Sequence, residues 1–353
     1  MGAGTAQGGA CLLISGKVRK NMEFVVFAGV LLLLFIFMIV QELIQTKNQE
    51  KLFKKYLREN YGKEPPKEYS LERFARLGSY LERHKEEKQL DDITWNDLGM
   101  DEVFRRIDRT YSAAGEEYLY YTLRNISCGR EALEYLEEVV NWLQEQENIK
   151  VRIQLLMKRL GHLGKYSLYD YLDNLDYLGE RSNRKIVLGN LLYLPFLLLL
   201  FVQPAMGTIG IVLCMLWHIM TYFREKKVIE PYIISFAYVL RLIDVCEELE
   251  KQKIPVYRRE LDELREALKS LRELRRGAYW VMAGNQGKIG GNPLDILADY
   301  LRMILHLDIF QFNRMLEKLR KKTGQVETML AITGYLDMAI SVGGFRKSLE
   351  GYC

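Results

Sequence analysis

Proline is scarce in this chain, with seven in 353 residues, and period-two alternation of β-branched residues is nearly missing. That excludes a sandwich or barrel and leaves an almost wholly helical protein as the expectation. Cysteine is sparse too. Cys11, Cys128, Cys214, Cys246 and Cys353 show no CxxC pairing and no regular spacing, which argues against a disulfide framework or a cysteine zinc site. The four histidines, His84, His162, His218 and His306, stand far apart without an HExxH spacing. Each is expected to be a surface or satisfied structural side chain. No sign of charge dominates: 50 Lys and Arg against 46 Asp and Glu leave +4, too mild to argue for nucleic acid by composition alone. The phosphate-binding pattern G-x-x-x-x-G-K-[ST] is absent as well. Its nearest approach is "GNQGKIGGN" (284–292), where Met282 stands for the first glycine and Ile289 for the Ser/Thr. A flexible turn is the expectation there, with Asn292-Pro293 opening the next helix.

What the chain does have is long apolar runs. Phe24 to Val40 is an unbroken stretch of 17 apolar or small residues, enough to cross a bilayer. Lys17, Arg19 and Lys20 precede it, but no small-x-small cleavage site follows, so an uncleaved anchor over 22–41 is expected. Residues 1–21 form an N-terminal tail, and Met22 is an alternative start. A second block, Ile186–Val202 and Ala205–Phe223, is split by Gln203-Pro204. Basic residues flank it on both sides: Arg181, Arg184 and Lys185 before, Arg224, Lys226 and Lys227 after. Both flanks then stay inside, giving a re-crossing hairpin (186–202, 205–223) with a short external turn. The expected product is a cell-membrane protein of three spans with most of its chain cytoplasmic and the lipid bilayer as one partner.

Between the spans the texture is that of a soluble helical protein. Residues 42–90 read as a helical linker interrupted at Pro65-Pro66, and 91–180 as the first part of a cytoplasmic core. Met100, Val103, Phe104 and Ile107 make an i, i+3, i+4, i+7 stripe that Asp108 and Thr110 interrupt. Ser112 is placed to cap the next helix, and Gly115 to let a neighbour come close. Two more helices are expected around Glu131–Gln146 and Ile149–Leu160. Residues 224–353 hold the rest, with Leu261, Leu264, Leu268, Leu271 and Leu274 at helical spacing.

The segment "IDRTYSAAGEEYLYYTLRN" (107–125) resembles the opening of the core domain of the MutS family of DNA mismatch-repair ATPases. The family pattern is Leu-Asp-x-Thr-x-Thr-x-x-Gly, then a helix with leucines, then a link to a second apolar helix. Asp108, Thr110, Ser112 and Gly115 stand on the first part. "GREALEYLEEVVNWL" (129–143) stands on the second, with Val139 and Val140 in its apolar positions. Towards the other end, "AITGYLDMAISVGGFRKSLEGYC" is similar to the family's x-x-L-D-x-L-x-S-x-A helix through Leu336, Asp337, Ala339 and Ser341. The resemblance covers about Asp91–Leu160 and Glu327–Cys353, in the family's order.

It implies an all-α protein: a transmembrane helix and a transmembrane hairpin joined to a cytoplasmic MutS-core-like domain with long lever helices. The leucine stripe after Tyr257 would be one arm of an antiparallel lever. The resemblance also implies an ATPase domain beyond the final helix, in cis or in trans, and ATP with Mg only there. This chain would itself bind no cofactor or metal. Asp108, Thr110, Ser112, Gly115, Leu336, Asp337 and Ser341 would serve packing and domain coupling, with no catalytic residue among them. A second copy of the chain and DNA are the other implied partners. A DNA-binding repair factor is the alternative function, although the mismatch reader has no counterpart and the first span takes its place.

Overall fold

The computed structural model describes residues 37–42, 44–63, 69, 71–85, 88–126, 129–163, 167–275, 293–349 and 351. They fall into two compact units, Met1–Asn60 and Tyr61–Cys353. In the first, residues 37–42 and 44–60 are helical, and the ion pair Lys54–Glu50 (2.5 Å) spans one turn of this helix. Most of the expected span Phe24–Val40 lies outside the described residues, as do the glycine-rich start, Pro65-Pro66 and the "GNQGKIGGN" stretch.

The described residues of the second unit form helices and their connections. They begin with α1 (Leu71–Arg83), α2 (Asp92–Asp97), α3 (Met100–Ile107) and α4 (Ala113–Arg124). Next come α5 (Arg130–Glu145), α6 (Glu147–Leu160) and α7 (Leu168–Asp173). The apolar block supplies α8 (Arg184–Leu191), α9 (Tyr193–Val202) and α10 (Pro204–Glu250), and the chain continues with α11 (Arg258–Leu271), α12 (Pro293–Leu305), α13 (Leu307–Arg320) and α14 (Thr323–Ser348). No strand occurs among the described residues; a single antiparallel bridge joins Gln89 to Asn125.

Local chemistry explains the element boundaries. Asp91 caps α2 by accepting from Thr94 N, and Gly99 takes a left-handed conformation (φ 61) before α3. The α3 stripe behaves unevenly: Phe104 is fully buried, whereas Val103 is exposed. Gln203, the residue before Pro204, ends α9, and Pro204 opens α10 as expected of a proline at a helix N-terminus.

Among the described residues, three helices are long and apolar enough to cross a membrane: Arg184–Val202, Pro204–Glu230 and Thr323–Ser348. Burial separates them. Only 6% and 28% of the apolar windows of the first two are buried within the protein, against 72% for the third. The apolar residues of α14 are therefore spent on the core. Those of α8, α9 and the first half of α10 face outwards, including Leu188, Leu198, Phe201, Ile209, Leu213 and Met220. So large an apolar belt is a surface that water does not suit.

Tight helix contact closes the hairpin. A Cβ on Gly207 would meet the Leu200 backbone at 2.6 Å, and one on Gly210 would enter the Phe196 ring. α10 then continues without a break, 47 residues in all, or about 70 Å at helical rise. Its second half is core: Phe236, Tyr238, Val239, Leu242, Ile243, Val245 and Leu249 are buried. The division expected at residue 224 thus falls inside one helix.

The leucine stripe expected to form a lever arm faces the core. Leu261, Leu264, Leu268, Leu271 and Leu274 are all buried, on a helix of only 14 residues (α11) and the turn after it, packed against α14. A leucine stripe fixes a helix and its buried face but not its length. The one long rod among the described residues is α10.

Candidate functional site

The most extensive helix pair of the core is α4 against α14, and it holds a buried polar junction. The chain arrives from α3 through the turn Asp108–Ser112. Asp108 is fully buried and its Oδ1 accepts from its own turn, from Thr110 N (2.9 Å) and Thr110 Oγ1 (2.5 Å). This is the local closure that favours aspartate at such turns. Its other oxygen accepts from the Tyr69 hydroxyl. Ser112 caps α4 by accepting from Gly115 N at 3.1 Å.

Two turns of α14 complete the junction. Asp337 accepts from Tyr111 N (3.0 Å), Ser112 N (2.8 Å) and Ser112 Oγ (2.6 Å). Its carboxylate thus satisfies backbone donors at the N-terminus of α4, where the helix dipole also favours negative charge. One turn on, Ser341 Oγ accepts from Arg109 N and donates to Ile107 O, both at 2.7 Å. Asp337 and Ser341 share a face with Gly334 and Gly344, and the small residues let the α4 turn lie flat on the helix. A Cβ on Gly334 would meet Ala114 O at 2.6 Å; from the α4 side, one on Gly115 would stand 2.7 Å from Asp337 Cγ. Leu336 is fully buried beside them.

Beneath the turn lie two adjacent carboxylates in opposed settings. Glu116 is fully buried and takes Arg73 Nε and Arg76 Nη2, each at 2.5 Å, with His162 Nε2 at 3.4 Å. Burial pushes its carboxyl up, but the His162 hydrogen bond and the Arg76 charge outweigh that and hold it below the usual range. Glu117 accepts from the Ser167 hydroxyl at 2.9 Å. Burial dominates, and its carboxyl is pushed up to about 8. Glu117 is therefore a neutral acid inside the core at neutral pH. Ser167 is also the cap of α7 and accepts from Tyr169 N at 3.2 Å, so the acid ties α4 to α7.

All seven residues expected to carry coupling (Asp108, Thr110, Ser112, Gly115, Leu336, Asp337 and Ser341) thus meet at the α4–α14 junction. Asp108, Asp337 and Glu117 are buried there and hydrogen-bonded to backbone and hydroxyl groups. Among the described residues, no group of three His, Cys, Asp or Glu side chains could hold a metal ion.

Sequence reasoning missed several members. Arg73 and Arg76, three residues apart on α1, share a face, and that spacing was the available signal. Ser167 carried the Ser-x-x-Asp capping pattern of 167–170, whereas Glu116, Glu117 and His162 gave none. The histidines depart further from expectation: His218 on α10 and His306 before α13 are buried together, with Nδ1 atoms 3.3 Å apart. Cys214 and Cys246 are free and buried. No family model matches the chain, and no curated protein or solved structure matches it.

Proposed function

We propose that this chain is a membrane-anchored, non-catalytic helical module of the MutS-core type, which passes motion between an ATP-hydrolysing domain, in cis or in trans, and the bilayer. The observation that carries the reading is the α4–α14 junction. Two motifs 225 residues apart in sequence meet there through Ser112 and Asp337. A rigid tie between the first core helix and the last is what a module needs if a domain beyond α14 is to move it. α10 supports the reading, since one unbroken helix contributes an apolar face to the hairpin and a strut to the core.

Topology supports it as well. α4 precedes the hairpin in sequence and α14 follows it, so their junction requires both flanks on one side of the membrane, as a re-crossing hairpin provides. The basic flanking residues then assign that side to the cytoplasm.

The reading requires an ATPase, and the gene tests it. A P-loop ATPase encoded beyond codon 353 or in an adjacent reading frame is the expected result; its absence from both sinks the proposal. A gel shift of duplex DNA that fades as salt is raised would favour the DNA-binding alternative instead.

A further inference from the structure

At the base of the hairpin, α8, α10 and α13 enclose a cavity of about 690 Å³. Its chemistry is uneven. Four basic side chains line it: Arg181, Arg184, Lys185 and Arg224. Arg181 is held by Glu225 at 2.5 Å, whereas Arg184, Lys185 and Arg224 have no ion partner among the described residues. Two carboxylates, Glu180 and Glu225, line it as well; with Glu225 committed to Arg181, three cations face one carboxylate, and that positive excess suits an anion, phosphate above all.

Deeper in, two polar atoms have no partner among the described residues. Asn183 donates its Nδ2 to Phe310 O at 3.0 Å, which turns its Oδ1 towards Asn313. Asn313 must then present its Nδ2 to that oxygen, at 2.9 Å. This fixes the amide and leaves Asn313 Oδ1, a buried acceptor lining the cavity, without a donor. His218 is 1% exposed, its Nδ1 is engaged by His306, and its Nε2 is likewise orphaned. That nitrogen points at Gly189, another lining residue, where a Cβ would stand 3.3 Å from it. A ligand that pairs these buried atoms supplies the hydrogen bonds they lack.

The geometry points to a binding site for a phosphate ester that carries free hydroxyl groups. The phosphate lies among Arg184, Lys185 and Arg224. A hydroxyl donates to Asn313 Oδ1, and His218 Nε2 takes a second polar atom of the same ligand. The headgroup of a phospholipid such as phosphatidylglycerol and a soluble ester such as glycerol phosphate share this chemistry.

The full chain in detergent, titrated calorimetrically at constant pH, provides the test. Glycerol phosphate is one probe, methyl phosphate the hydroxyl-free control, and inorganic phosphate a second control. In parallel, native mass spectrometry of the chain in nanodiscs compares phosphatidylglycerol with phosphatidylcholine. The expected result is saturable binding of glycerol phosphate or of phosphatidylglycerol, and whichever probe binds identifies the source. The double variant Arg184→Gln/Arg224→Gln, altered only at exposed positions, should weaken it about tenfold. The hydroxyl-bearing probe should lead its control by about fivefold, and Asn313→Ala should erase that lead. Failure of both probes to bind the wild type overturns the proposal. So does equal binding of methyl and glycerol phosphate without a phosphatidylglycerol preference, or a double variant that binds as the wild type does.

Discussion

Replacing Glu117 by glutamine should stabilise the protein at neutral and alkaline pH while leaving it little changed in acid. Glu117 is 3% exposed and accepts a hydrogen bond from the Ser167 hydroxyl, and burial raises its carboxyl from 4.5 to about 8. The sign follows from proton binding. Below the unfolded value both states are protonated and the side chain carries no penalty. As pH rises through 4.5 the unfolded chain releases its proton while the folded one keeps it until about 8. Stability present in acid is therefore lost across that window, by about 1.4 kcal/mol for each pH unit. At pH 7 the loss is about 3 kcal/mol, and above the folded value it levels off at about 5 kcal/mol. A glutamine side chain cannot ionise and can still accept from Ser167, so Glu117→Gln removes this loss. Thermal unfolding of both proteins in the same detergent, from pH 5 to 9, is the assay. The melting temperatures should be close at pH 5 and diverge steadily, with the variant higher by on the order of 5 °C at pH 7. Parallel profiles over the whole range would refute the argument, because they would mean that the fold does not perturb the ionisation of Glu117.

Four further outcomes follow from the same structure. Gly115→Ala should destabilise by about 3 kcal/mol or more, since its Cβ would press on the Asp337 carboxyl and α4 cannot shift without breaking its cap; denaturant unfolding reads this. Asp337→Ala should cost about 3–5 kcal/mol by stranding the buried Tyr111 and Ser112 donors, whereas Ser341→Ala, which loses two uncharged bonds, should cost about 2; equal losses would contradict the assignment of charge-assisted bonds to Asp337 alone. In a cysteine-free background, a cysteine at Gln203 should react with an impermeant maleimide from outside intact cells and one at Ser182 should not; the reverse pattern would invert the proposed topology. Arg130→Ala should leave the melting temperature unchanged, since its pair with Glu134 is a surface contact with the arginine 90% exposed; a drop of several degrees would show that its surroundings are misread.

Local chemistry was legible in the sequence, and tertiary partnership mostly was not. Ser112 is a cap because a hydroxyl before a helix satisfies an amide three residues on. The hairpin shows because apolar length and a Gln-Pro break are one-dimensional signals. Asp337 gave no such signal, since an aspartate within an apolar helix shows only that something must pair with it. Its place beside Ser112, 225 residues earlier, is set only when α14 packs on α4. Glu116 and Glu117 are neighbours in sequence, yet one faces two arginines and the other a serine hydroxyl. That difference arises only when α1, α4 and α7 pack. The leucine stripe of α11 shows its buried face by its period, while its neighbour α14 is not in the pattern. His218 and His306 stand 88 residues apart in sequence and are brought together by packing alone.

The span of sequence between Ser112 and Asp337 also bears on how the protein is made. Asp337 is synthesised 225 residues after the amides that it accepts, and both arms of the hairpin emerge in between. At ordinary translation rates the α4 turn waits roughly ten to forty-five seconds for its partner. If the hairpin inserts as proposed, it must find the membrane in that interval while the first half of the core stands open. A fault in membrane insertion would thus appear first as misfolding and degradation of the soluble part, even though no residue of that part had changed.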